Sequence, residues 1–88
     1  MPTREIHGEY VHPHSNAVLR YVCRYELKPI GIVYEAEAGF EGKSKRIVMG
    51  VIPWSFRAFP PRRRVEKTIR ETIDILDIEK FKAALSEA

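Results

Sequence analysis

Between Val18 and Ile52 the chain alternates apolar and polar residues with a period of two, three times in succession, with turn-forming residues at each break. Successive side chains of a strand point to opposite sides, so this spacing gives three strands that each carry one apolar face. In the first, Val18 to Leu27, one side holds Leu19, Tyr21, Cys23, Tyr25 and Leu27, and the other holds Val18, Arg20, Val22, Arg24 and Glu26. Lys28-Pro29 interrupts it. In the second, Ile30 to Ala38, the apolar side is Ile30, Ile32, Tyr34, Ala36 and Ala38. Gly39-Phe40-Glu41-Gly42-Lys43-Ser44 reads as a turn, because glycine adopts the backbone angles that tight turns require. In the third, Lys45 to Ile52, residues Ile47, Met49 and Val51 are in phase, and Pro53 ends the strand.

Pairing these strands as a meander tests the pattern. A hairpin tip at Lys28-Pro29 sets Leu27 opposite Ile30, Tyr25 opposite Ile32, Cys23 opposite Tyr34 and Tyr21 opposite Ala36. Placing Ala38 opposite Lys45 sets Ala36 against Ile47, Tyr34 against Met49 and Ile32 against Val51. Both hairpins then gather the apolar residues on one face, as a half-buried sheet requires. The other face aligns Arg20, Glu37 and Arg46 in a row and carries an apolar strip of Val22, Val33, Val48 and Ile52. Proline fits badly in the second position of a two-residue loop, and a longer loop would shift this register.

Residues 1–16 read as an irregular N-terminal leader punctuated by Gly8 and Pro13, with Ile6 to Val11 as the candidate for a short fourth edge strand. After Pro53, an aromatic connection (Trp54, Phe56, Phe59) leads to Pro60-Pro61, where proline favours a helix start. Val65, Ile69, Ile73 and Leu76 recur at helical spacing. The charges around them form i,i+4 pairs: Arg62–Glu66, Glu66–Arg70, Lys67–Glu71 and Arg70–Asp74. Lys80 occupies the next turn of that stripe, so a break near Asp77 is expected. Asp77 can cap a second helix from Ile78 to about Glu87, with Ile78, Phe81 and Leu85 as its apolar face. The expected class is α+β: a three- or four-stranded antiparallel meander followed by one or two C-terminal helices packed on one face. Residues 17–88 form its single domain.

Eighty-eight residues leave room for one domain, and 44% hydrophobic with 31% charged residues is a globular balance. No apolar run approaches the roughly 18–20 residues that span a bilayer. The polar start, Met1-Pro2-Thr3-Arg4-Glu5, has no hydrophobic segment behind it, and the single cysteine, Cys23, forms no internal disulfide. A cytoplasmic location is expected on both grounds.

Most candidate chemistry has a structural explanation. His7, His12 and His14 are good metal ligands by type, but no recognised spacing joins them, and no metal or cofactor is expected. Cys23 shares the apolar face with Tyr21 and Tyr25, so burial should leave its thiol inert. Glu35 and Glu37 lie on one strand face beside arginines, which hold a carboxylate ionised rather than make it a general acid. Gly42-Lys43-Ser44 looks like the end of a phosphate loop, yet its glycines are too close together and a strand follows. No enzyme activity is expected.

One stretch is not explained by folding. From Arg57 to Arg70 the chain carries Arg57, Arg62, Arg63, Arg64, Lys67 and Arg70 against Glu66 alone. A helix N-terminus bears partial positive charge, so each exposed arginine there is unfavourable by roughly 0.3–1 kcal/mol. A bound anion would offset that cost, and arginine suits phosphate geometrically. Trp54, Phe56 and Phe59 either close the core beneath the connection or stack on unpaired bases. Three antiparallel strands followed by a helix with basic residues in its first turn resemble a truncated double-stranded-RNA-binding module. The N-terminal helix and sequence motifs of that family are absent here. The expected function is a small non-enzymatic binding module for nucleic acid or another polyanion, with Arg57, Arg62, Arg63, Arg64 and Lys67 contacting phosphates. The alternative is a protein-interaction module or homo-oligomer subunit that docks through a sheet face or edge.

Overall fold

The computed structural model describes residues 3–87. Four strands, β1 (Arg4–Val11), β2 (Val18–Lys28), β3 (Gly31–Phe40) and β4 (Lys43–Pro53), form an antiparallel meander in sequence order. A single 3₁₀ turn, Phe56–Ala58, leads to α1 (Pro61–Asp74) and α2 (Ile78–Glu87). This is the α+β class expected, with the fourth strand and the second helix both present. Among the described residues no helix is long and apolar enough to cross a membrane.

The leader is the first correction. Residues 4–11 are a regular edge strand rather than irregular chain, paired with β2 from Arg4↔Tyr25 to Val11↔Val18. Ile6, Gly8 and Tyr10 point toward the helices, and Gly8 is the reason the pattern looks weak. A Cβ there would lie 2.5 Å from the Tyr21 ring, so the inward position is ceded to tyrosine.

The β2–β3 register is the second. The tip is the two-residue Pro29-Ile30, one residue further along than Lys28-Pro29, and the strands pair Lys28↔Gly31, Leu27↔Ile32, Tyr25↔Tyr34, Cys23↔Ala36 and Tyr21↔Ala38. Apolar residues still share one face because the shift is an even number of residues. Ile30 leaves the sheet and is exposed at the tip.

The third correction changes which side chains reach solvent. Arg46 pairs with Glu37 and Val48 pairs with Ala36, so Ile47 is an extra residue in β4, a β-bulge. Beyond it the parity reverses. Val48, Gly50 and Ile52 face inward, while Met49 and Val51 turn outward, 64% and 46% exposed. The turn to β4 is the two-residue Glu41-Gly42, both with positive φ (51° and 82°), as a type I′ hairpin requires.

The inner face of the sheet and the helices enclose one core. Leu19, Cys23, Ile32, Val65, Ile69 and Ile73 are its fully buried centre, closed at one end by Ile78, Phe81 and Leu85. The helix break lies where expected. Asp77 Oδ1 accepts from the Lys80 amide at 3.2 Å, and the Phe81 amide bonds the Asp77 carbonyl at 2.9 Å. Two contacts from the N-terminal segment hold this break. The Tyr10 hydroxyl donates to Asp74 Oδ1 at 2.7 Å, and His12 Nε2 donates to the Leu76 carbonyl at 3.0 Å. Asp74 is therefore engaged by Tyr10, and of the two pairs expected for Arg70 the one with Glu66 is present, at 3.5 Å, rather than the one with Asp74.

Candidate nucleic-acid interface

The head of α1 is basic because of where the core stripe lies. Val65, Ile69 and Ile73 face the sheet, which fixes the rotation of the helix. At 3.6 residues per turn, Arg63 and Lys67 then point to solvent one above the other, with Arg64 on their flank. Arg62 falls on the opposite flank, where its Nε bonds Glu66 at 3.0 Å. Glu66 also holds Arg70, so Arg62–Glu66–Arg70 is a closed surface network.

Arg57, Phe59, Pro60, Arg63, Arg64 and Lys67 line one shallow depression of about 520 Å³. The structure thus brings together four of the five sequence-predicted contacts and sets Arg62 apart. Among the described residues, Arg57, Arg63 and Arg64 have no carboxylate within 4.0 Å, and Lys67 meets Glu71 only at that limit. The helix start adds no acid. Its first turn contains none, and no side chain caps it. Arg64 is partly buried and its charge reaches Tyr34, whose hydroxyl pKa is raised by burial and pulled back by that guanidinium.

The aromatic residues separate into two roles. Trp54 is partly buried and donates its indole N–H to the Lys28 carbonyl at 2.6 Å, which fastens the connection to the β2–β3 turn. Phe59 stacks on Trp54 at 5.4 Å between centroids and 20° between planes, yet remains 62% exposed. Phe56 is 85% exposed, with the Arg57 guanidinium 6.0 Å from its centroid. The buried residue of this turn is Ala58. Closing the core is therefore not what the two phenylalanines do.

Elsewhere the reactive side chains are engaged internally. His12 is buried; its Nδ1 accepts from the Ser15 amide and lies 2.9 Å from the Ser15 hydroxyl, so both ring nitrogens are occupied. His7 sits on the outer sheet face, 2.7 Å from Glu5. Burial, reinforced by Glu35, pushes the Cys23 thiol up to about 12, so it stays protonated at neutral pH. On the outer face Arg24 lies between Glu5, Glu35 and Glu37 at 3.7–4.0 Å, and Arg46 reaches Glu35 at 3.4 Å. Arg20 pairs with Glu9 rather than Glu37, because its partner across the ladder is Gly39. Among the described residues no three His, Cys, Asp or Glu side chains gather as a metal site would.

Fold and site together describe a small α+β domain with one concentrated basic depression. No family model matches the chain, and no curated protein or solved structure matches it.

Proposed function

We propose that this chain is a non-enzymatic binding module that holds the phosphate backbone of a nucleic acid in the depression formed by Arg57, Arg63, Arg64 and Lys67. The observation that carries this reading is the convergence of four cations on one concave surface with no acid among its lining residues. Like charges held together repel, and a polyanion relieves that repulsion while releasing its own counterions. Arg62 has a structural partner in Glu66 and contributes less. The lone Cys23, with no disulfide partner, is consistent with a cytoplasmic setting.

Salt dependence tests the reading. Each neutralised phosphate contributes roughly 0.7–0.9 to the slope of log K against log salt, so four contacts give a slope of about −3. Affinity for a short oligonucleotide should fall about 50-fold between about 50 and about 200 mM salt. A slope near zero, or no measurable binding at low salt, would sink it.

A second reading rests on the bulge at Ile47. It turns Met49 and Val51 outward beside the partly buried Val33, on a sheet face the helices leave uncovered. The strip expected from Val48 and Ile52 is replaced by these residues, and it could seat a protein partner or a second copy. Equilibrium sedimentation without nucleic acid separates the readings, since a stable dimer favours this one.

A further inference from the structure

We infer that the depression selects single-stranded over duplex nucleic acid, because it pairs its cations with exposed aromatic faces that only unpaired bases can cover. The inference rests on the phosphate-binding reading above. Phe59 is itself part of the wall that Arg57, Arg63, Arg64 and Lys67 complete. One face of its ring is taken by Trp54, and the ring remains largely exposed. Phe56, one residue before Arg57, is more exposed still.

A ligand that satisfies this wall needs an anionic group and a planar apolar body one link away. A nucleotide unit has both. In a duplex the bases are stacked on each other and only the phosphates are presented, so the rings would gain nothing. In a single strand an unpaired base can stack on Phe59 and extend the Trp54–Phe59 pair by one layer, while the flanking phosphates meet the arginines. A volume of about 520 Å³ lies within the range that accommodates small ligands, roughly 300–1,000 Å³, and so has room for such a unit. Stacking tolerates every base, so little sequence preference is expected.

The test uses three fluorescein-labelled probes of equal length: a single strand, its duplex, and an abasic single strand that keeps the phosphates but lacks bases. Anisotropy should show the single strand binding about tenfold more tightly than the abasic strand and the duplex. Phe59→Leu should remove most of that advantage, bringing single-strand affinity down toward that of the abasic strand; Phe56→Leu, at a more exposed position, provides the same comparison if Phe59→Leu lowers the melting temperature. Trp54 is the only tryptophan, so its emission should change with the single strand and not with the abasic one. Equal affinity for all three probes, unaltered by either substitution, overturns the single-strand inference and leaves phosphate binding standing. No binding of any probe overturns both.

Discussion

Gly31→Ala should destabilise the fold by about 3 kcal/mol or more, a large stability effect for one methyl group. Gly31 has φ +147°, where an L side chain is strained, and its Cβ would fall on the Ile52 carbonyl of the neighbouring strand. Ile52 C and Pro53 Cα would lie within 3.0 Å of it. These are backbone atoms of a paired strand, so relief requires opening the Gly31↔Pro53 and Ile32↔Ile52 pairs. Gly42→Ala is the control. It also has positive φ, +82°, but nothing lies within 4 Å of its added Cβ, so the cost should be about 1 kcal/mol. For a domain this size, each kcal/mol shifts the melting temperature by about 4–8 °C. Gly31→Ala should therefore melt about 8 °C or more below Gly42→Ala. Equal melting temperatures would mean that β4 yields at Ile52, contrary to the pairing described. The consequence reaches the site, because Lys28↔Gly31 pairing places the carbonyl that anchors Trp54, and Trp54 supports Phe59.

The second large effect is on binding. Replacing Arg57, Arg63 and Arg64 together by alanine should weaken oligonucleotide affinity by about 1,000-fold or more at moderate salt, since each charge-assisted contact to phosphate contributes roughly 1.5 kcal/mol or more. Arg62, Lys45 and Lys80 make the matched control, being exposed and outside the depression. Their triple alanine variant carries the same formal charge and should lose less than about fivefold, the long-range part alone. Equal losses would show that net charge, rather than the arrangement of the cations, drives binding. Melting curves of both variants confirm that the fold persists, as none of the six side chains belongs to the core.

Much of this architecture is legible in the chain, and the exceptions have physical causes. β2 and β3 alternate cleanly because one face is buried and the other faces water. The break at Asp77 is legible because capping and a shifted apolar stripe coincide there. β1 is obscured since Gly8 and Tyr10 fill inward positions where aliphatic residues would advertise a strand. The bulge is hidden for a different reason. Ile47, Met49 and Val51 mimic an uninterrupted period of two, and the one clue is Gly50, whose lack of a side chain leaves room for the Tyr34 ring opposite.

The site follows the same division. The basic stretch stands out in the sequence, and the Arg62–Glu66 spacing already hints that Arg62 is engaged locally. What composition cannot convey is exposure. Phenylalanine is usually a core residue, and only the placement of Ala58 inward reveals that Phe56 and Phe59 are left to solvent beside the arginines.

The most direct test is the amide spectrum of the isotope-labelled chain titrated with a single-stranded oligonucleotide at low salt. Binding at the depression predicts that the largest shifts fall between Phe56 and Lys67, with little change at Val33, Met49 and Val51. Shifts confined to the outer sheet face, or spread evenly over every basic residue, would contradict it.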